Sequence, residues 1–234
     1  MKSVAIITAR GGSKRIHKKN IKLFCGKPII EYSIKASLDA GIFDEVMVST
    51  DESEIAEVAL NAGASVPFMR SAETSDDFAT TSDVVTEVIN RYSESGSCFD
   101  YGCCIYPTAP FVTPEKLRHG MELLQTENAD TVVPVVAFSF PPQRGYRIIN
   151  NRVQLMHTEY RNARSQDLET IYHDCGQFYC FNVERFLKSG KIVGDDALPI
   201  IMEETEVQDI DNLTDWKIAE MKYKIMMEDK NGEV

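Results

Sequence analysis

Short apolar runs alternate with amphipathic segments through the first part of the chain. The apolar runs predict strands at residues 3–8, 45–49, 66–69, 101–106 and 131–136, and the amphipathic segments predict helices at 29–40, 54–61, 80–91 and from 114 onward. Strands and helices that alternate in this way are typical of βαβ units around a largely parallel sheet. The sequence therefore predicts an α/β fold with a Rossmann-like, mostly parallel sheet flanked by helices.

The alternation changes after Pro141 and Pro142. Residues 146–156 predict a hairpin that turns at Asn150 and Asn151. The earlier pattern resumes with a strand at 177–181 and a periodic terminal helix at 215–227. We therefore expect a core formed by residues 1–140 and 176–234, interrupted by a small hairpin insertion at 141–175.

Length and composition narrow the class of protein. The 234 residues are 43% hydrophobic and 26% charged, which fits one large globular domain. The net charge of −11 argues against a general nucleic-acid-binding protein. Apolar runs are far shorter than the roughly 20 residues that span a bilayer, and the N-terminal segment lacks the order of a secretory signal. We therefore expect a cytoplasmic protein without a membrane segment, in which the six cysteines are structural.

Positive charge is concentrated directly after the first predicted strand, where residues 10–22 contain six Lys or Arg residues and no acid. Glycines allow backbone N–H groups to face a phosphate, while a hydroxyl and cations supply further ligands. The candidate anion ligands are Arg10, Gly11, Gly12, Ser13, Lys14 and Lys19. The segment is neither a GxxxxGK[ST] nor a GxGxxG loop. A solvated basic turn is the alternative, but ligands bind at the carboxyl ends of strands in such sheets, which favours an anion site.

Asp209, Ile210 and Asp211 form a second candidate element. In an extended segment, residues two positions apart point to the same side, so both carboxylates face one way while Ile210 points into the core. Paired carboxylates suit a hard cation such as Mg²⁺, which also bridges to phosphate oxygens. The alternative is that Asp211 only begins the helix that follows.

A third polar group lies at residues 164–168, with Tyr172, His173 and Tyr179 nearby. Its side chains can hydrogen-bond a polyhydroxylated substrate. Solvated loop residues are the alternative interpretation of this group.

Together these segments resemble the CMP-sugar synthetases, which activate sialic acid, pseudaminic acid and related acids. The matching motifs are ARGGSK at residues 9–14, KKN at 18–20, STD at 49–51, PTAP at 107–110, RSQDL at 164–168 and DID at 209–211. They span nearly the whole chain in family order, which is more specific than any single motif. The run 105–111, together with Tyr172, His173 and Asp174, looks most like the pseudaminic acid cytidylyltransferases.

The resemblance implies a nucleotidyltransferase fold and a reaction between CTP and an acidic nine-carbon sugar, pseudaminic acid. The anomeric hydroxyl would attack the α-phosphate with help from Mg²⁺, and pyrophosphate would leave. Nucleotide-binding positions would be the basic loop with Arg70, Ala79 and Thr81, and sugar-binding positions Tyr106, Arg144, Arg164, Gln166, Asp167 and Tyr179. Arg10, Lys19 and Asp209 would act in catalysis, and Asp209 and Asp211 would hold the metal. By analogy the protein is a homodimer in which the insertion completes the partner's site, and no residue is assigned as general base.

Two positions differ from synthetases for sialic acid itself. Those enzymes tend to carry Gln before the Pro-Thr pair, where this chain has Tyr106, and Asn before Gly, where it has Cys175. The resemblance places both positions beside the sugar, and a tyrosine wall suits methyl and acylamino groups in place of a glycerol tail. The alternatives are a synthetase for sialic, legionaminic or Kdo-type acids and a non-catalytic nucleotide-binding regulator.

Overall fold

A central sheet of seven strands organises the protein, which a computed structural model describes over residues 1–232. In chain order the strands are β1 (Ser3–Thr8), β2 (Leu23–Phe24), β3 (Lys27–Pro28), β4 (Glu45–Ser49), β5 (Tyr101–Ile105), β6 (Thr131–Ala137), β7 (Tyr146–Ile149), β8 (Arg152–Leu155), β9 (Tyr172–Asp174), β10 (Phe178–Asn182) and β11 (Ala197–Ile201). Along the sheet the order is β11-β6-β10-β5-β1-β4, and β9 pairs with β6 outside this path. The pairs β2-β3 and β7-β8 form separate small sheets.

Helices pack on both faces of the sheet. Within the described residues they are α1 (Ile29–Ala40), α2 (Ser53–Asn61), α3 (Thr81–Glu94), α4 (Pro114–Thr126), α5 (Val183–Ser189) and α6 (Leu213–Gly232). Their starts follow local sequence, because the side chain of Thr80 accepts a hydrogen bond from the N–H of Asp83, and Thr113 does the same for Lys116. These caps satisfy N–H groups that the first helical turn leaves without partners.

Strand direction confirms the predicted fold class. β1 is parallel to both β4 and β5, and β11 is parallel to β6. Only β10, which lies between β5 and β6, and the short β9 run antiparallel to their neighbours within this sheet. The carboxyl ends of β1, β4 and β5 therefore meet at one edge, and the loops that follow them form the site described below.

The core divides into layers above and below the sheet. Alternation along β1 sends Ile7 to the layer that contains Ile30 of α1, while Ile6 packs with Val85 of α3. A separate cluster joins Ile16, Phe24, Phe111, Ile210 and Trp216. This cluster attaches the basic loop and the acidic pair to the same apolar centre.

The strand predicted at residues 66–69 does not form. Ser65 makes a single parallel bridge to Met47, in which its N–H donates to the carbonyl of Val46 and its carbonyl accepts from Val48. The next ladder bond would need an N–H at residue 67, and Pro67 has none. The prediction was wrong because one proline interrupts the ladder at its second position.

The hairpin predicted within residues 146–156 is confirmed as β7 and β8, with Asn150 and Asn151 at φ 51° and 58° in the turn. The hairpin projects from the core, while β9, from the same insertion, joins the central sheet. In residues 1–232 no helix has the length and hydropathy needed to cross a membrane. All six cysteines are free thiols, and Cys103, Cys104, Cys175 and Cys180 are buried.

Candidate active site

A cavity of about 720 Å³ opens at the carboxyl ends of β1 and β5. Its walls come from three segments that are distant in sequence: the basic loop, the residues after β5, and the acidic pair before α6. The lining residues are Thr8, Arg10, Gly12, Ser13, Lys14, Arg15, Lys19, Asn20, Tyr106, Pro107, Thr108 and Asp211. The structure thus brings together most of the predicted anion ligands with Tyr106 and one of the two predicted metal ligands.

Backbone contacts shape the basic loop. The N–H of Gly11 donates to Oδ1 of Asp51 at 2.8 Å, which ties the loop to the end of β4. A β-carbon at Gly11 would lie 2.9 Å from Oε2 and 3.0 Å from Cβ of Glu52, so a larger residue here would require Glu52 to shift. The loop closes on itself where Ser13 Oγ donates to the carbonyl of Ile16 at 2.7 Å.

The first cations of the loop already contact carboxylates. Arg10 Nη1 donates to Asp77 Oδ1 at 3.0 Å, and Lys14 pairs with the second oxygen of the same carboxylate. The hydrogen bond and charge of Lys14 hold the pKa of Asp77 below its ordinary value. Asp77 lies in the segment between residues 71 and 80, so this segment contacts part of the basic loop.

Lys19 is the most enclosed cation of the cavity. Its Nζ donates to the carbonyl of Ile210 at 2.9 Å. Burial lowers the pKa of Lys19 from its ordinary value, and the negative charges of Asp211 and Asp209 oppose that shift. The ammonium of Lys19 therefore links the basic loop to the segment that contains the acidic pair.

The acidic pair adopts the predicted alternation. Ile210 is 1% exposed in the apolar cluster, and Asp209 and Asp211 on either side remain accessible. Asp211 forms an ion pair with Arg15 at 2.5 Å and lines the main cavity, while Asp209 lines a second groove of about 220 Å³. The charges of both carboxylates act on the Lys19 ammonium, but the two side chains line separate depressions.

The carboxylates of Asp209 and Asp211 have the chemistry that suits a hard cation. Carboxylate oxygens are the protein ligands that Mg²⁺ prefers, and it usually takes one or two of them with substrate phosphates and water. Over residues 1–232, no group of three or more His, Cys, Asp or Glu side chains is placed to hold a metal ion. Asp209 and Asp211 would therefore act together with oxygens of a bound phosphate rather than as a closed cage.

The residues predicted to bind the base lie beside the cavity rather than in its walls. Arg70 is 8% exposed and bonds to the end of β4, with Nε 3.0 Å from Ser49 Oγ and Nη2 2.5 Å from the Ser49 carbonyl. Burial lowers the pKa of Arg70 from its ordinary value, and the charges of Asp51 and Glu87 oppose this. Of the other two, Thr81 Oγ1 lies 3.3 Å from the Tyr106 hydroxyl, and Ala79 follows the loop that contacts Arg10.

The predicted sugar ligands separate into two groups. Tyr106 and Tyr179 lie together, with ring centroids 5.7 Å apart in an edge-to-face arrangement. The others are in the insertion, where Arg144 Nη1 donates to Ser165 Oγ at 3.0 Å. Arg144, Arg164, Gln166 and Asp167 are absent from the walls of the main cavity of their own chain.

Sequence reasoning missed several residues of the site. Arg15 was counted among the cations but not paired with Asp211, which is distant in sequence. Asn20 is 6% exposed and donates from Nδ2 to the Arg10 carbonyl at 2.9 Å, so it supports the loop from below. Its position in the KKN motif was the available signal. Asp77 gave no signal, because its role depends on a contact across 67 residues.

A family model described as cytidylyltransferase matches residues 4–187. This chain belongs to the cytidylyltransferase family. The predicted family is thereby confirmed, and the protein is a nucleotidyltransferase. The cavity supplies positive charge suited to a nucleoside triphosphate, with Arg10, Lys14, Arg15 and Lys19 in its walls.

Relatives and solved structures agree with the family assignment. The chain is 38% identical to pseudaminic acid cytidylyltransferase of Campylobacter jejuni over 226 residues, covering 96% of this chain and 97% of the relative. It is 33% identical to CMP-N,N'-diacetyllegionaminic acid synthase of Legionella pneumophila, covering 97% and 99%. The solved structure of CMP:2-keto-3-deoxy-manno-octonic acid synthetase complexed with CTP shares the fold, with a TM-score of 0.68, 15% identity and coverage of 97% and 100%.

Proposed function

We propose that this cytidylyltransferase transfers CMP from CTP to pseudaminic acid and releases pyrophosphate. The observation that carries the proposal is the 38% identity to the Campylobacter jejuni enzyme over 96% of the chain. The cavity supports it, since cations surround the space proposed for the triphosphate and a tyrosine borders the space proposed for the sugar.

The reaction is an in-line displacement at phosphorus. The anomeric oxygen of the sugar forms a bond to the α-phosphorus of CTP, the bond from that phosphorus to the oxygen bridging to the β-phosphate breaks, and the hydroxyl proton passes to a general base or to solvent. Negative charge develops on the leaving pyrophosphate. Arg10, Lys14 and Lys19 would bind these oxygens, and their fixed positions stabilise that charge without reorganisation during the reaction.

Mg²⁺ is proposed as the cofactor, held by Asp209 and Asp211 with phosphate oxygens. When bound, it would neutralise charge on the transferring group and lower the pKa of a coordinated hydroxyl. Lys19 is hydrogen-bonded to the carbonyl of Ile210, the residue between these carboxylates. Its ammonium would therefore position the triphosphate relative to the acidic pair. Arg15 would orient Asp211 through its ion pair.

The identity of the sugar is proposed from the wall formed by Tyr106. Its ring borders the main cavity, and its hydroxyl is already engaged with Thr81 at 3.3 Å. A glycerol tail would meet the ring without gaining the amide partner that glutamine would provide, whereas a methyl group packs well against an aromatic ring. This geometry favours a sugar with a shorter, more apolar tail.

A legionaminic acid synthetase is the second candidate. The relative from Legionella pneumophila is 33% identical over 97% of the chain, which is not far below the identity to the Campylobacter jejuni enzyme. Substrate choice between related acids depends on a few contacts, so overall identity does not separate the two candidates.

The test is a competition assay with CTP, Mg²⁺ and equimolar pseudaminic, N-acetylneuraminic and legionaminic acids. Pyrophosphate release and the mass of each CMP-sugar are measured. We expect kcat/KM for pseudaminic acid to exceed that for N-acetylneuraminic acid by about 10²-fold. Equal or better use of N-acetylneuraminic or legionaminic acid would reassign the sugar, and absence of CMP transfer to any acid would remove the proposed function.

Two variants test whether Tyr106 is responsible for the preference for pseudaminic acid. Tyr106→Gln replaces the ring by an amide and should narrow the preference, while Tyr106→Phe keeps the ring, loses the hydroxyl and should largely retain it. If both variants retained the preference, the ring would not determine the choice of sugar.

A homodimer is proposed from the insertion. The β7-β8 hairpin exposes apolar side chains, with Ile148 at 77% and Val153 at 65% accessible, and such patches commonly mark interfaces. Arg144 and Arg164 lie outside the cavity of their own chain, which suits a role in the site of a partner subunit. A cytoplasmic location is proposed because the reaction uses CTP and the six cysteines are free thiols.

A further inference from the structure

Asp174, the last residue of β9, uses both carboxylate oxygens within its own chain. Oδ1 accepts a hydrogen bond from the N–H of Gly176 at 2.7 Å, and Oδ2 accepts one from the hydroxyl of Tyr179 at 2.7 Å. One side chain therefore holds a turn and a tyrosine that follow it in the chain.

Both groups held by Asp174 border the ring of Tyr106. Tyr179 is 4% exposed and its ring meets Tyr106 edge-on, at an interplanar angle of 65°. On another side, a β-carbon at Gly176 would lie 3.9 Å from Cε2 of Tyr106, and the φ of +60° at this residue is one that glycine adopts without strain. Burial raises the pKa of the Tyr179 hydroxyl, so it remains a hydrogen-bond donor at neutral pH.

The backbone of Tyr106 is held by two hydrogen bonds, one of them to the residue that follows the turn at Gly176. Its N–H donates to the Gln177 carbonyl at 2.8 Å, and its carbonyl accepts from Ser33 Oγ at 2.8 Å. The ring depends instead on its neighbours and on the contact of its hydroxyl with Thr81 at 3.3 Å. Losing the carboxylate of Asp174 would release two of the groups that restrain this ring.

We propose that Asp174 is a positioning residue for sugar selectivity, which holds Tyr179 and the turn at Gly176 and thereby fixes the Tyr106 ring as a wall of the sugar site. The inference rests on the proposed function, because it concerns how that site chooses its sugar. Asp174 acts through Tyr106 and needs no contact with substrate. Thr81 contacts the Tyr106 hydroxyl and therefore connects the wall to the segment expected at the cytosine.

The test is a double-mutant cycle on the selectivity ratio, defined as kcat/KM for pseudaminic acid over kcat/KM for N-acetylneuraminic acid. Asp174→Ala should lower the ratio about fivefold, as expected for the loss of a hydrogen bond that orders the wall. Asp174→Asn keeps an acceptor oxygen and should restore most of the ratio. In the Tyr106→Gln background, Asp174→Ala should leave the ratio unchanged, because the ring it positions is already absent.

Tyr92→Phe is the matched control. Tyr92 is also buried and its hydroxyl also bonds to a carboxylate, Glu45 Oε1 at 3.2 Å, but it belongs to the apolar layer under α3. This variant should lower Tm without changing the ratio. Measuring the stability of Asp174→Ala alone would not test the inference. If Asp174 only closed the turn, the variant would lower Tm and both kcat/KM values together, and the selectivity ratio would stay the same.

Two outcomes of the cycle overturn the inference. An unchanged ratio in Asp174→Ala would mean that Tyr106 is held without Asp174. A decrease of equal size in the Tyr106→Gln background would mean that Asp174 acts on the sugar directly. If the wild-type protein prefers another acid, the proposed sugar is wrong, and the cycle is measured on the ratio between the preferred and the next acid.

Discussion

The carboxylate of Asp77 accepts a hydrogen bond from Nη1 of Arg10 at 3.0 Å, across 67 residues of sequence. The same Arg10 nitrogen donates to the Asp76 carbonyl at 2.9 Å, and Lys14 pairs with the second oxygen of Asp77. Both cations belong to the loop proposed to bind the triphosphate. We therefore expect Asp77 and CTP to compete for the same positive charges, because exposed ion pairs are weak enough for a polyanion to replace them.

Asp77→Asn should tighten the binding of CTP. Removing the competing charge is expected to lower KM for CTP about threefold with little change in kcat, and the difference should shrink at high salt because these charges are exposed. Initial-rate kinetics at low and high ionic strength measure it. Glu73→Gln is the control, since it removes the same charge from an exposed position of the same segment. An unchanged or increased KM in Asp77→Asn would contradict the competition.

Arg10→Ala and Lys19→Ala should each lower kcat/KM for CTP by about 10² or more while the protein stays folded. The reason is that each variant removes one fixed charge from the wall of the cavity. Lys22→Ala provides the control, because Lys22 is in the same basic run but lies 5.7 Å over the ring of Trp216 and does not line that cavity. Near wild-type turnover in both loop variants would show that the phosphate loop was assigned wrongly.

Removal of divalent cations should abolish activity, and Mg²⁺ should restore it. Asp209→Asn is expected to be folded yet nearly inactive at saturating Mg²⁺, because it removes one of two carboxylates beside Lys19. Asp195→Asn serves as the control, since its side chain is 87% exposed and pairs with Lys191. Pyrophosphate release and thermal melting report activity and folding. Full activity in excess EDTA would exclude the proposed metal.

Ile148→Asp should weaken the proposed dimer. A charge on the apolar hairpin is expected to shift the sedimentation coefficient toward the monomer and to lower activity at low protein concentration, since the insertion would complete a partner's site. Ile201→Asp is the control. Ile201 lies on β11, is likewise exposed, at 64%, and the variant should leave the dimer intact. If Ile148→Asp sedimented like a wild-type dimer, or if the wild-type protein were itself a monomer, the proposal would be contradicted.

Much of the parallel half of the sheet was predictable because its elements depend on local pattern. β1, α1 and β4 match the predicted ranges at residues 3–8, 29–40 and 45–49. Caps such as Thr113 act within one helical turn, so they too can be recognised without the fold.

Two proline-containing segments show where local pattern fails. Pro199 lies within β11, which still forms because it is the edge strand beside β6 and five of its residues pair there. Pro67 interrupts a segment beside β4 that makes only one bridge. Proline is therefore tolerated in β11 and disruptive beside β4. The outcome depends on whether the partner strand needs a hydrogen bond from the N–H that proline lacks.

The sequence by itself determined the fold class, since periodicity and capping are properties of neighbouring residues, and its motifs were sufficient to indicate the cytidylyltransferase family. Only the tertiary structure decided how those segments meet. The pairing of Asp77 with Arg10, the ion pair of Arg15 with Asp211, and the support of Tyr106 by Tyr179 and Gly176 join residues from separate elements. Such contacts depend on the order of strands and the direction of loops across the sheet, and no local pattern encodes that order.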